Sequence, residues 1–148
     1  MKDQIKLAME IAAKAHEGQF RWDGKTPYIS HPAAIALAIG KPYQDTGMTQ
    51  LVKDMVAAAW LHDVVEDTPL TIADLRVAGI SETVLSAVEL LTKRDGEDYL
   101  TYLLRLKSDP IALKVKVEDI KHNMSTLDKK KKKSMYEKYQ LALYILAG

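Results

Sequence analysis

Signals that begin and end α-helices recur along the whole 148-residue chain, and they constrain its fold more than any other feature. Thr71 and Asp74 have the spacing of a capping box, and Asp109 followed by Pro110 is a common helix start. Between such signals apolar residues recur at helical spacing, and no segment alternates between polar and apolar residues for long enough to predict a strand. We therefore predict an all-α fold, with residues 1–148 forming a single compact helical domain.

The predicted helices are separated by segments rich in glycine, proline and polar residues, such as the loop from Gly18 to Ser30. In the helix predicted from Glu97 to Lys107, we expect Leu100, Leu103 and Leu104 to face the interior. The other predicted helices run from about Ile5 to His16, Pro32 to Gly40, Thr49 to His62, Ser81 to Leu91, Ile111 to Met124 and Ser134 to Leu146, with a short helix beginning at Thr71.

The composition is typical of a globular protein and restricts the ligands that the chain can bind. Hydrophobic residues make up 47% and charged residues 28% of the sequence. The formal net charge of +1 implies no general attraction to nucleic acid or to an anionic membrane. With 0 cysteines there is no disulfide and no thiolate zinc site, so a metal would need histidine and carboxylate ligands. No segment predicts a signal peptide or a membrane span, and we expect a cytoplasmic protein.

The run from Lys129 to Lys133 is the one segment of strongly biased composition. It can be a solvated loop that leads into the last helix, or a surface for an anionic partner. We favour the solvated loop, because charge runs usually face solvent and this one has no aromatic side chain to stack on bases. We therefore predict no nucleic-acid partner, and the sequence does not predict an oligomeric state.

Two carboxylates fall within apolar helical segments, where an ionised group without a partner costs several kcal/mol. Asp63 follows His62 at the end of the apolar run from Met55 to Leu61, and Asp119 lies in a later apolar helix. A divalent cation would compensate both carboxylates, with His31 and His62 supplying imidazole nitrogens; such a set suits manganese, iron or zinc. A single histidine at a helix end is more often a structural hydrogen-bonding residue, so spacing alone leaves both interpretations open.

Further polar residues follow these carboxylates by one helical turn. Glu66 and Asp67 lie one turn beyond the His-Asp pair and on the same sides of the predicted helix. Beside a metal, two such acids can take a proton from water and later protonate a leaving group, although the same residues are typical of an exposed helix end. Asn123 lies one turn after Asp119, where it can orient a phosphate, a ribose hydroxyl or water, or cap the helix.

The loop before His31 contains side chains suited to a nucleotide. Arg21 can bind phosphate with two donors or stack on a base, and Lys25 and Tyr28 lie nearby in the sequence. Lys93 is a further candidate phosphate contact, although a lysine after a helix is common. We interpret these residues, together with the asparagine described above, as candidate substrate contacts.

In this order, the candidate residues resemble the HD superfamily of metal-dependent phosphohydrolases. More narrowly they resemble the hydrolase domain of the RelA/SpoT group, which degrades (p)ppGpp, the alarmone of the stringent response. The combination of Pro-Tyr-Ile-x-His-Pro with His-Asp-x-x-Glu-Asp-Thr is the specific part of the resemblance. The matching segments are Ala15-His16-Glu17-Gly18-Gln19, Arg21, Pro27 to Pro32, Leu61 to Thr68, Leu91-Thr92-Lys93, and Asp119 with Asn123-Met124.

The resemblance implies an HD-domain helical bundle that holds one Mn²⁺ ion and removes pyrophosphate from the ribose 3′ position of (p)ppGpp, giving GDP or GTP. It implies that Glu66 and Asp67 activate or position the attacking water. Arg21 and Asn123 match positions that the group uses to recognise the nucleotide. The implied metal ligands are His31, His62, Asp63 and Asp119.

The chain departs from the RelA/SpoT pattern at expected nucleotide contacts and at none of the implied metal ligands. Trp22 replaces a second basic residue, the segment from Gly24 to Pro27 is one residue longer, and Ile120 stands where arginine is common. Another nucleotide therefore stays open as the substrate, and a non-catalytic nucleotide-binding regulatory module is a third interpretation. Because the sequence ends at Gly148, we expect a stand-alone hydrolase without the synthetase domain of the longer relatives.

Overall fold

A computed structural model describes residues 3–148, which form α-helices joined by short loops. Within this range there is no strand, only an isolated bridge between Phe20 and Pro27, so the all-α prediction is confirmed. No helix between residues 3 and 148 has both the length and the apolar composition needed to cross a membrane. The helices are α1 (Gln4–Ala15), α2 (Ser30–Gly40), α3 (Gln50–Leu61), α4 (Val64–Asp67), α5 (Ile72–Ala78), α6 (Glu82–Leu91), α7 (Tyr99–Leu106), α8 (Pro110–Thr126) and α9 (Lys133–Ala147), with a 3-10 helix at Lys41–Tyr43.

Local capping interactions begin several of these helices where the sequence predicts them. The Thr71 hydroxyl accepts the Asp74 N–H at 3.1 Å, and the Asp74 carboxylate accepts the Thr71 N–H at 2.9 Å, which completes the capping box of α5. The Asp109 carboxylate accepts N–H groups from the first turn of α8. Some starts differ slightly from prediction: α2 begins at Ser30, α7 at Tyr99 and α9 at Lys133.

The chain turns at His62 and Asp63, so the helix that begins after Thr49 does not continue into Glu66 and Asp67. α3 ends at Leu61, and α4 is a separate helix of 4 residues. The Asp67 N–H still bonds the Asp63 carbonyl at 2.9 Å, which keeps these two residues one turn apart. The turn therefore places a histidine and an aspartate at a helix junction, with two further acids directly after them.

Helix α3 is the centre of the fold and packs against α1, α2, α6 and α8. Its alanines Ala57, Ala58 and Ala59 are fully buried, and their small side chains let neighbouring helices approach closely. Because α2, α3 and α8 pack on one another, the start of α2, the end of α3 and the middle of α8 come together. This junction carries most of the residues predicted to form the site.

The buried face of α7 differs from the predicted one. Leu103 is fully buried as expected, but Leu100 and Leu104 are 51% and 54% exposed. The buried residues are instead Tyr102, Leu103 and Leu106, which share one side of the helix. The prediction for Leu100 and Leu104 was wrong because α7 has leucines on both of its sides, so apolar character alone does not identify the buried side.

We expect Leu103→Ala to lower the free energy of unfolding by roughly 2–5 kcal/mol, because it opens a cavity in the core. Leu104→Ala is the matched control, since it removes the same atoms from an adjacent and exposed position, and its effect should stay within about 0.5 kcal/mol. Urea denaturation of the two variants measures both values. Equal losses would contradict the assignment of the buried face.

Candidate metal centre and active site

Four side chains converge where α2, α3 and α8 meet. His31 lies in the first turn of α2, His62 and Asp63 lie between α3 and α4, and Asp119 lies in α8. His31 Nε2 is 2.7 Å from Asp119 Oδ1, and His62 Nε2 is 2.9 Å from Asp63 Oδ2 and 3.5 Å from Asp119 Oδ1. One ligand atom from each of His31, His62 and Asp119 lies within 4.8 Å of the others. We call these four residues the ligand cluster.

The hydrogen bonds of His62 leave one ring nitrogen available for a cation. His62 is 2% exposed, and its Nδ1 is 2.7 Å from the Ala59 carbonyl, which accepts a hydrogen bond from Nδ1–H. When the ring is neutral, as cation binding requires, its proton is on Nδ1 and the Nε2 lone pair points toward the carboxylates. Among the residues described, His62 Nε2 has no hydrogen-bond partner of suitable geometry. A buried acceptor without a donor, beside two carboxylates, fits a divalent cation.

The pKa shifts within the ligand cluster also favour a bound divalent cation. Burial lowers the pKa of His62, but Asp63 and Asp119 outweigh it and hold that pKa well above the usual range. For Asp119, burial raises the pKa, yet Lys116 and His31 hold it well below the usual range. The carboxylates are therefore ionised and favour positive charge on the His62 imidazole, whereas burial lowers the pKa of His31. A divalent metal can take the place of the positive charge on His62.

The loop before α2 brings Tyr28 to the ligand cluster. The loop folds back on itself, with the Arg21 N–H bonded to the Thr26 carbonyl at 2.8 Å, and Gly24 takes a φ of +71° at its tip, which favours glycine. The Tyr28 hydroxyl donates to Asp63 Oδ2 at 2.5 Å. Burial, followed by the charge of Asp63, raises the pKa of Tyr28, so the phenol stays protonated and orients this carboxylate.

Glu66 and Asp67 lie beside the cluster, in α4. Glu66 Oε1 accepts the backbone N–H of Lys93 at 3.0 Å, which ties α4 to the end of α6. The Asp67 carbonyl accepts a hydrogen bond from the Gln19 amide at 3.1 Å. Burial is the main cause that raises the pKa of both carboxyls, and Asp63 raises them further. A carboxyl with a raised pKa is suited to accepting and donating protons.

Arg21 and Asn123 connect the loop to the ligand cluster. The Arg21 guanidinium donates to Asn123 Oδ1 at 3.2 Å and to the Thr126 hydroxyl at 2.8 Å, and Asn123 Nδ2 donates to Asp119 Oδ1 at 3.3 Å. Arg21 also lies 4.5 Å from the ring of Trp22, which is 50% exposed. Arg21, Trp22 and Thr126 line part of a cavity of about 180 Å³, together with His122.

Lys25 and Lys93, which were also predicted to contact the substrate, lie outside the ligand cluster. Lys25 is exposed, and its backbone N–H bonds Asp23 rather than any residue of the ligand cluster. Lys93 reaches Glu66 through its backbone N–H. The departure at Ile120 does not touch a nucleotide site, because this side chain is fully buried in the hydrophobic core.

The sequence interpretation missed two residues of α8 that contact the cluster. Lys116 Nζ lies 3.0 Å from Asp119 Oδ2, and His122 Nδ1 lies 2.7 Å from His31 Nδ1. Burial lowers the pKa of Lys116, but Asp119 and nearby tyrosines raise it well above the usual range, so the ammonium keeps its charge. The signal that could have found both was their helical spacing, because each lies three residues from Asp119.

His122 contacts His31 Nδ1, the ring nitrogen that does not face Asp119. For His31 Nε2 to bind a cation, its Nδ1 must carry the ring proton and donate it to His122 Nδ1. Burial, followed by the charges of His31 and Arg21, lowers the pKa of His122 to about 4, so its ring is neutral at pH 7 and can accept. This hydrogen bond fixes the orientation of the His31 ring.

The sequence profile of the HD domain matches residues 8–112. That range contains His31, His62 and Asp63 and ends before Asp119. It covers well over half of the chain, and the chain therefore belongs to the HD domain family.

Curated relatives match most of this chain but only a small part of their own length. Guanosine-3′,5′-bis(diphosphate) 3′-pyrophosphohydrolase of Haemophilus influenzae is 37% identical over 127 residues, which is 79% of this chain and 18% of the relative. The bifunctional (p)ppGpp synthase/hydrolase SpoT of Escherichia coli is 35% identical over 140 residues, 85% of this chain and 19% of the relative. A GTP pyrophosphokinase of Streptomyces coelicolor is 31% identical, over 97% of this chain and 17% of the relative. The chain thus spans about a fifth of the length of the curated relatives it matches.

We expect His122→Ala to weaken divalent-metal binding roughly 10- to 100-fold, because it removes the acceptor that orients His31. His122→Asn is the matched variant, since its amide oxygen lies near the position of Nδ1 and should restore most of the affinity. Isothermal titration of Mn²⁺ into metal-stripped protein measures the change without any substrate. Wild-type affinity in His122→Ala would contradict the supporting role.

Proposed function

We propose that this chain is a divalent-metal-dependent phosphohydrolase that uses Mn²⁺ to release pyrophosphate from the 3′ position of (p)ppGpp, leaving GDP or GTP. The observation that carries the proposal is the ligand cluster with Glu66 and Asp67 directly beside it. Two imidazoles and two carboxylates suit a divalent ion that keeps room for water and a phosphate oxygen. The names of the curated relatives support (p)ppGpp as the substrate.

A divalent cation held by the ligand cluster would polarise the phosphoryl group and lower the pKa of a bound water. The protein side chains have separate tasks. Tyr28 keeps Asp63 oriented through its hydroxyl hydrogen bond. Asn123 connects Asp119 to Arg21 and thereby links the ligand cluster to the loop. Phosphoryl transfer depends chiefly on such positioning and on neutralised charge.

Glu66 and Asp67 are the proposed proton-handling residues. Burial raises the pKa of each carboxyl, and one of them can accept a proton from the attacking water while the other, when protonated, can donate to the leaving oxygen. The Lys93 N–H fixes one oxygen of Glu66, which leaves its second oxygen for this exchange.

Arg21 is the proposed nucleotide contact. Its guanidinium is held by Asn123 and Thr126 on one side, and Trp22 lies against it on the other. A planar guanidinium fixed in this way can stack on a base or bind phosphate with two donors.

Trp22 favours a second candidate function, hydrolysis of a different nucleotide such as a phosphomonoester or a phosphorylated dinucleotide. A half-exposed indole beside Arg21 adds stacking surface where many alarmone hydrolases carry a second positive charge. A third possibility is a regulatory module that binds a nucleotide without turnover. The complete ligand cluster and the adjacent acids argue against it.

A nucleotide panel separates these functions. Metal-stripped protein should be inactive, and addition of Mn²⁺ should restore activity, with pyrophosphate released from ppGpp faster than phosphate or pyrophosphate from any competing nucleotide. Faster hydrolysis of another nucleotide would support the second candidate. Metal-loaded protein that hydrolyses nothing would contradict both enzymatic functions.

Two substitutions test the roles of neighbouring carboxylates. We expect Asp63→Ala to abolish metal binding, because it removes a ligand and leaves His62 without its carboxylate. Glu66→Gln should retain the metal but lower turnover about 10²- to 10⁴-fold, the usual contribution of a proton-transferring group. Metal content and ppGpp turnover, measured on the same preparations, distinguish the two effects. Equal loss of metal in both variants would be inconsistent with these roles.

A further inference from the structure

Lys116 is a buried cation in direct contact with a residue of the ligand cluster. Its side chain is only 15% exposed, and its ammonium lies 3.0 Å from Asp119 Oδ2. The ring of Tyr102 lies 5.2 Å from the same ammonium. A lysine in the middle of a helix usually extends into solvent, so an ammonium enclosed in this way needs a specific partner, and Asp119 is that partner.

The two oxygens of Asp119 face opposite groups. Oδ1 lies 2.7 Å from His31 Nε2 and 3.3 Å from the amide of Asn123, on the side of the ligand cluster. Oδ2 accepts the hydrogen bond from Lys116. The carboxylate is therefore held in one orientation, with a single oxygen directed at the place where a metal would bind.

We propose that Lys116 is a positioning residue that restricts Asp119 to one ligand oxygen and so keeps part of the metal's coordination shell free for water and substrate. The inference rests on the proposed function, because it assigns a role within the same metal site. A carboxylate can bind a metal through one oxygen or two. The ammonium on Oδ2 prevents the second mode without removing the ligand.

If Lys116 has this role, replacing it should change the metal affinity in the opposite direction from replacing a lysine that only supports the fold. Replacing Lys116 with methionine keeps an unbranched apolar chain in the buried space but removes the charge and the hydrogen bond. Oδ2 then becomes free to join Oδ1 at the metal, and a positive charge that repels the metal is lost. Metal binding should therefore become tighter while turnover falls. A lysine that only supports the fold would instead weaken metal binding when it is replaced.

The test is a titration of Mn²⁺ into metal-stripped wild type, Lys116→Met and Lys121→Met, followed by calorimetry and by the Mn²⁺ electron paramagnetic resonance spectrum. Lys121 is the matched control, because it is on the same helix and is 59% exposed beside Glu118. We expect Lys116→Met to bind Mn²⁺ roughly tenfold more tightly, a small share of the Coulomb repulsion that it removes. Its spectrum should differ from that of wild type, whereas Lys121→Met should match wild type in both measurements.

Circular dichroism establishes that each variant is folded. Lys116→Leu, which also lacks a charge and a donor, takes the place of Lys116→Met if the latter is not folded. Unchanged or weaker Mn²⁺ binding in the folded Lys116 variant would overturn the proposal. Lys116→Arg, which keeps the charge on Oδ2, should restore the wild-type affinity and spectrum. The titration contains no nucleotide and therefore tests the role of Lys116 independently of the substrate. Wild-type protein that binds Mn²⁺ but releases no pyrophosphate from ppGpp would refute the proposed substrate, and the titration alone would then decide the role of Lys116.

Discussion

The cost of burying charge is the constraint on which the structure around the ligand cluster depends. His31, His62 and Asp119 are each at most 5% exposed, inside a helical core made largely of alanine, valine and leucine. Ionised groups in such surroundings are stable only when other charges and hydrogen bonds compensate them. Three helices therefore meet with their polar residues facing one another, and Lys116 on Asp119 and Tyr28 on Asp63 supply part of the compensation. A divalent cation supplies the rest.

Much of the helical architecture could be predicted because its signals are local. Thr71, Ser81 and Asp109 cap helices through hydrogen bonds to N–H groups two or three residues away, so the sequence contains all of the information. The turn at His62 and Asp63 has no such signal, because it depends on how α3 meets the helices around it. Leu100 and Leu104 were wrongly predicted to face the interior for a related reason. Both sides of α7 contain apolar residues, and only packing decides which side is buried.

The sequence predicts the ligand cluster because Asp63 and Asp119 need a compensating charge, and the family resemblance indicates His31. It did not lead to a prediction for Lys116 or His122. Both were overlooked because lysine is usually exposed and His122 lacked a match to the ligand set. Helical spacing from Asp119 indicates the side of α8 on which they lie, but their contacts with other helices, those of His122 with His31 in α2 and of Lys116 with Tyr102 in α7, arise from packing that this spacing does not encode.

Helix α8 also separates the proposed metal site from the proposed nucleotide contacts. Lys116, Asp119 and His122 follow one another at helical spacing, and a rigid helix fixes their relative positions. The proposed nucleotide contacts are placed differently, since Arg21 and Trp22 belong to a loop, and Arg21 bonds Asn123 and Thr126 of α8. Loops accept sequence change more readily than packed helices. The departures at Trp22 and in the segment from Gly24 to Pro27 lie in that loop. If the proposed function is correct, they can alter which nucleotide is bound while the ligand cluster stays the same.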